Sequence, residues 1–362
     1  MIHRTNRDTV TKYRELESIS QSKLKLLMAG VGVYNNTEPE EKYYSEKEHF
    51  IIGSAVDTLI TMGADACKKE YYVSQLENKP SATIMSIVKE VYDIISSESS
   101  YAKAIADFAS DDIYFRDTIL HVADKQEFQK RWKDETRYKK IVEQGQDYWN
   151  DLIESKSRQI LSLQQFDLIK IISDNILNHP HTEKYFQDAE HLDIFYQLPL
   201  KFMYEDISCK ALLDMVIVDH HNGIIQPIDI KTMGDYVSNF PISFMRRRYD
   251  IQAAFYTQAI ADDYTGWNIL FKDYKILPFK FIVESTTMPG TPLVYTCSEE
   301  VLNKGKYGID SQRIGKHILR EKKGFHQAIM LYIWHLENGF EVDKHVCLNN
   351  GDLLLKLEGI VK

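Results

Sequence analysis

The feature that most constrains this chain is a change of character near residue 190. Three runs, IFYQLPLKFMY (194–204), KALLDMVIVD (210–219) and IIQPIDIKT (224–232), are rich in β-branched and aromatic residues and bounded by turn signals. Such runs read as strands. His221-Asn222-Gly223 separates the last two, and Asn-Gly takes the positive φ angles that a tight hairpin turn requires. The three runs are therefore expected to be consecutive and antiparallel. ILPFKFIVES (276–285) and LVYTCS (293–298) read as further strands, with helices expected over roughly Ser243 to Asp262 and Ser311 to Leu336.

Ahead of residue 190 the pattern is helical. SQSKLKLLMAG (20–30) spaces Leu24, Leu27 and Met28 three and four apart, with Ser20 or Ser22 as N-cap and Gly30 as a stop. A polar loop rich in Glu and Tyr follows, then an apolar helix, HFIIGSAVDTLITMG (49–63), interrupted by Gly53. From Ser81 to about Phe186 apolar residues recur at helical spacing in a highly charged background, ending at His179-Pro180. The order is helices, three antiparallel strands, helix, two strands, helix. It describes an α/β or α+β fold, a mixed central sheet flanked by helices, with a largely helical N-terminal half. We expect one domain over 1–362, a helical arm inserted at 80–186, and the sheet with its helices over about 190–336.

Composition excludes some classes. A chain of 362 residues with 44% hydrophobic and 12% aromatic residues can bury a sizeable core. No apolar run reaches membrane-spanning length, and the N-terminus carries no apolar signal segment. Cys67, Cys209, Cys297 and Cys347 form no CxxC pair, which argues against a zinc ribbon and fits a reduced, cytoplasmic setting. The net charge of −9 gives no whole-chain attraction to nucleic acid, but a local basic strip can still bind phosphate.

The residues that carry chemistry sit on the third strand. Side chains alternate along a strand, so Asp229 and Lys231 point to one face while Ile228 and Ile230 point to the other. Asp214 lies across the hairpin, close enough to set a second carboxylate beside Asp229. Two carboxylates and a lysine converging on one face repel and pay for desolvation, a cost that a divalent cation relieves. Hard oxygen ligands suit Mg²⁺ or Mn²⁺. Such an ion polarises a phosphate and lowers the pKa of bound water, and Lys231 would orient that water or stabilise developing charge. The D-x-K triplet alone equally fits a salt-bridged surface hairpin. The apolar residues before it, the turn, and the acid on the partner strand favour a site. Gln252 and Tyr256, four apart in DIQAAFYTQAI, share a helix face and could contact phosphate or brace Lys231. Asp57, four residues after Gly53, is either a third metal ligand or a helix-surface acid. Arg246, Arg247 and Arg248 open the Gln252 helix, and Arg313, Lys316, Arg320 and Lys323 recur at helical spacing as a basic stripe suited to DNA phosphates.

CKALLDMVIVD, IIQPIDIKT and YDIQAAFY, in that order, resemble the RecB-type PD-(D/E)XK nucleases, especially the phage and prophage exonucleases related to exonuclease VIII and lambda exonuclease. SQSKLKLLM, the helix ending in NHP and the KFIVES strand are also similar, leaving roughly 80–160 unmatched. The resemblance implies a restriction-endonuclease-like core. It implies metal ligation by Asp214, Asp229 and the main-chain carbonyl of Ile230, with Lys231 acting on the water. The family's first acidic or histidine position falls on Asp57, where an aspartate replaces the usual histidine and brings a second metal into question. Some relatives carry an iron–sulfur cluster on three C-terminal cysteines that this chain lacks, so no cluster is expected. The implied activity is a Mg²⁺-dependent deoxyribonuclease, an exonuclease acting on duplex DNA from its ends in recombination. Its implied setting is the bacterial cytoplasm, phage- or prophage-encoded, with a single-strand annealing protein and a second copy of the chain as candidate partners. An endonuclease, a single-strand-specific nuclease, and a catalytically silent DNA-binding or assembly protein on the same fold remain open alternatives.

Overall fold

A computed structural model describes residues 1–37, 48–76, 79–97, 108, 113–309, 312–314, 317–319 and 322–341. In chain order the first elements are β1 (Ile2–Arg4), α1 (Arg7–Glu15), α2 (Gln21–Ala29), α3 (Val31–Asn36), α4 (Glu48–Asp57) and a π-helical turn, Thr58–Met62. Next come α5 (Ala64–Glu70), β2 (Tyr71–Val73), α6 (Ala82–Ser97), α7 (Ile113–Lys125), α8 (Asp134–Ser155), β3 (Gln159–Leu161) and α9 (Leu163–Asn178). β4 (Leu192–Tyr204), β5 (Ile207–Asp219), β6 (Ile224–Met233), α10 (Phe240–Arg247) and α11 (Tyr249–Asp262) follow. Last are β7 (Lys275–Ile276), β8 (Lys280–Ser285), β9 (Leu293–Thr296), α12 (Glu299–Tyr307), β10 (Gln312–Ile314), β11 (His317–Leu319) and α13 (Phe325–Asn338). The chain divides into two units, Met1–Gly63 with Ile171–Lys362, and Ala64–Lys170.

The first unit is built on a mixed sheet in the order β1-β4-β5-β6-β8-β9, with β7 also paired to β6. β4, β5 and β6 form the expected antiparallel meander, and β8 runs parallel to β6. The hairpin turn forms where Asn-Gly predicts it. Gly223 has φ +60°, and the Asp219 carboxylate accepts from the backbone N–H of His221 and Asn222, each at 3.0 Å. One apolar cluster joins Leu200, Phe202 and Leu213 of the sheet to Leu24 of α2, Phe255 of α11 and Phe325 of α13. A second joins Phe240 and Ala253 to Phe279, Phe281 and Val283. β6 is buried along most of its length, which anchors any side chain it aims toward solvent. The fold is α+β, a mixed sheet flanked by helices.

The second unit packs α6, α7 and α8 around Ile87, Val91, Ile119, Val122 and Trp149. The Trp149 ring stacks on Phe108 at 4.8 Å and meets Tyr92 and Phe115 edge-on. The i, i+3/i+4 spacing of these apolar residues is the amphipathic signal read from the sequence.

Two expectations are corrected. Residues 311–336 do not form one helix: β10 and β11 pair antiparallel, Ile314 opposite His317, and a helix starts only at Phe325. The intervening Gly315-Lys316 is a two-residue hairpin signature, and the three- and four-residue spacing of the cations imitated a helix. The helix expected over 243–262 breaks into α10 and α11 at Arg248, whose φ is +54°. The parallel strand β1 and the helix α12, capped by Ser298, were not anticipated. Cys67, Cys209 and Cys297 are buried free thiols, and Cys347 lies outside the described residues. Among the described residues no helix is long and apolar enough to cross a membrane.

Candidate functional site

Both ladders of β5 open at one level. On the β4 side Tyr196 pairs with Met215 and Leu198 with Leu213, but Gln197 and Asp214 between them do not pair. Gln197 there adopts φ +51°, outside the strand region. On the β6 side the pairing ends at Met215 and Ile228, one step short of bringing Asp214 opposite Asp229. The Asp214 carboxylate takes the place of the missing ladder bond, since its Oδ2 accepts from the Ile230 N–H at 3.1 Å. A strand residue turns its N–H and C=O to the same side, so the Ile230 carbonyl also faces the opening.

Asp229 is 1% exposed, and its two oxygens are held differently. Gln252 Nε2, delivered by α11, donates to Oδ1 at 2.5 Å. Lys231 Nζ lies 2.7 Å from Oδ2 as an ion pair. Lys231 is thus the one partner of this buried oxygen among the described residues. Burial works against the Lys231 charge, but Asp229 and Asp214 outweigh it and hold the ammonium protonated. The Tyr249 ring, its centroid 5.2 Å from Nζ, adds a cation–π contact. Burial first, then the charges of Asp229 and Asp57, push the Asp214 carboxyl well above the ordinary range, against Lys231 and the Ile230 N–H.

Asp57 ends α4, directly before the π-helical turn. Gln197 Nε2 lies 3.1 Å from its Oδ2, so the residue that opens the β4–β5 ladder also touches this third acid. α4 comes close to β6 because Gly53 has no side chain: a Cβ there would stand 2.7 Å from Thr232 Oγ1. A cleft of about 470 Å³ collects His49, Gly53, Asp57, Asp214, Ile230, Lys231, Thr232, Arg247 and Tyr249 on its walls.

Among the described residues no group of three His, Cys, Asp or Glu is arranged to hold a metal ion. The donors that could do so are the Asp214 and Asp229 carboxylates with the Ile230 carbonyl. They suit a hard cation that retains several waters. The mutual repulsion of the buried acids is what such a cation would relieve.

No protein-family model matches this sequence. No curated protein matches it either. Among solved structures, one from Eubacterium rectale, provisionally named an exonuclease, is similar at 13% identity over 81% of this chain and 92% of that one, with a TM-score of 0.34. Likeness at that level carries no weight for this chain, whose site rests on its own geometry.

The other expected site residues fare unequally. Gln252 braces Asp229, not Lys231, and does not line the cleft. Tyr256 does not line it either; it packs between the two apolar clusters, where burial, then Tyr13, Asp214 and Asp229, push its hydroxyl pKa up. Arg246 and Arg247 end α10 and do not open the Gln252 helix, and Arg247 lines the cleft. Arg248 is taken by Asp250, with two contacts of 2.9 Å. The basic stripe dissolves: Arg313 lies on β10, Lys323 follows the hairpin as a half-buried residue, and Lys316 and Arg320 lie outside the described residues. His49, Gln197 and Tyr249 were missed. His49 shares the i, i+4, i+8 spacing of Gly53 and Asp57, a signal that could have found it. Gln197 has no local signal, because its role depends on a strand and a helix distant in sequence.

Proposed function

We propose that this chain is a Mg²⁺-dependent DNA nuclease with a PD-(D/E)XK-type centre, acting as an exonuclease on DNA ends. The observation that carries the reading is the opened β5–β6 ladder, where Asp214, Ile230 and Lys231 line a cleft and the buried Asp229 is ion-paired to Lys231 behind its wall. Asp214, Asp229 and the Ile230 carbonyl would hold the metal, with Asp57 as a further ligand. When bound, that ion supplies Lewis-acid activation of the scissile phosphate and of water. Gln252 fixes the Asp229 carboxylate in one rotamer, so the ligand pays little reorganisation. The Ile230 N–H does the same for Asp214. Lys231, kept charged by both acids, orients the attacking water and stabilises the charge that develops on phosphate. Arg247 and Tyr249 on the cleft wall contact the incoming strand.

The decisive measurement is Mg²⁺-dependent digestion of end-labelled linear DNA beside a closed-circular control. Cleavage of the linear form alone supports the exonuclease, and cleavage of both makes the activity endonucleolytic. Lys231→Ala should cut kcat by orders of magnitude with DNA binding intact, because its role belongs to the transition state. Asp229→Ala should abolish Mn²⁺ binding in calorimetry. DNA binding without cleavage in Mg²⁺ or Mn²⁺ would instead identify a catalytically silent DNA-binding protein.

A further inference from the structure

We propose that α10, with Tyr236 in the turn before it, is a platform for unpaired nucleotides, which makes the substrate of this cleft a DNA strand with an unpaired end. The proposal deepens the nuclease reading and rests on it. It begins from three large side chains left in water beside the cleft. Tyr236 is 57% exposed, Ile242 69% and Met245 43%. Ile242 and Met245 are three apart on α10 and share one face with Arg246. Ser243 and Arg247, four apart on the same helix, line the cleft. The platform thus continues the cleft wall outward.

This segment is braced. Phe240 is buried against Phe281 and Tyr295, with ring centroids at 5.5 and 5.0 Å. The Asn239 side chain donates to Asp235 at 3.0 Å, and the Tyr295 hydroxyl donates to the Val237 carbonyl at 2.6 Å. At the other end Arg248 takes φ +54° and is locked to Asp250. Single exposed apolar residues are ordinary, but three within ten residues of a braced cleft lip mark a surface with a partner. Charge selects the partner. Residues 236–249 contain three arginines and no acid in a chain of net charge −9, and neither Arg246 nor Arg247 forms an ion pair with a described residue. Cations interleaved with apolar and aromatic side chains suit a strand whose bases stack while its phosphates are neutralised. Paired bases inside a duplex offer no such faces, so the apolar residues favour only unpaired nucleotides.

The test compares Mg²⁺-dependent cleavage of three labelled DNAs, namely a single strand, a duplex with a forked unpaired end and a blunt duplex. The full chain is assayed beside Tyr236→Ala and the pair Ile242→Ser with Met245→Ser. These side chains are exposed, so thermal melting should be unchanged and serves as the folding control. The wild type should favour the single strand and the fork. Each variant should lose roughly tenfold in kcat/KM on those two, through KM, and nothing on the blunt duplex. An equal loss on all three DNAs, or no loss on any, overturns the platform and leaves the nuclease reading standing. If the variants lose self-association in light scattering while their DNA kinetics are unchanged, the face belongs to a second copy of the chain, which also overturns it. A wild type that neither binds nor cuts any of the three overturns both readings.

Discussion

Replacing Gly53 by alanine sets two opposed effects against each other. The new Cβ would lie 2.7 Å from Thr232 Oγ1, some 0.7 Å inside the 3.4 Å at which ordinary contact begins. Thr232 is β-branched and sits on β6, paired to β8, so neither its rotamer nor its backbone yields easily. Overpacking of this kind costs about 1–3 kcal/mol. Alanine returns at most about 1 kcal/mol through its better helix propensity. The clash wins, and Gly53→Ala should destabilise by roughly 0–3 kcal/mol. Removing the obstacle reverses the sign: in a Thr232→Ala background the same substitution should stabilise by up to about 1 kcal/mol. A double-mutant cycle read by urea denaturation should therefore give a coupling of about 1–3 kcal/mol. If α4 retreats, Asp57 retreats with it, so the Mg²⁺ requirement for cleavage should rise in Gly53→Ala and recover in the double variant. Additive single effects would refute the close approach of α4 to β6. A restored stability without a restored Mg²⁺ requirement would refute the role of Asp57.

Gln252→Leu leaves the buried Asp229 Oδ1 without its donor and should destabilise by about 1–3 kcal/mol while weakening Mn²⁺ binding in calorimetry; an unchanged melting temperature would show that the bond contributes nothing. Asp214→Asn tests a pH dependence in chelator. Burial, then Asp229 and Asp57, raise the folded carboxyl above its unfolded value near 3.9, so the ionised form opposes folding. The wild type should lose stability relative to Asp214→Asn as pH rises from about 4 toward the folded pKa, and a divalent cation should close the gap. Parallel melting profiles across that range would remove the electrostatic conflict. In the second unit, Trp149→Ala should cost about 3–5 kcal/mol in urea denaturation, since the ring is fully buried and stacked on Phe108. A loss below about 1 kcal/mol would mean the site collapses around the void.

The sequence by itself determined what local pattern can encode. Alternation and β-branched content marked β4, β5 and β6, and Asn222-Gly223 set the turn and hence the register. Period two put Asp229 and Lys231 on one face, and the turn carried Asp214 across from them. Tertiary structure alone decided the rest. Cations spaced three and four apart at 313–323 suit a helix or chance equally, and the pairing of β10 with β11 chose a hairpin. Arg248 broke the long helix because its ion pair with Asp250 supports a backbone angle that sequence does not announce. Where the β4–β5 ladder opens, Gln197 meets Asp57, residues 140 apart in sequence. Gln252 reached Asp229 only because α11 packs on the sheet at that level. Each of these depends on contacts between distant segments, whose free energy is absent until the chain has closed around them.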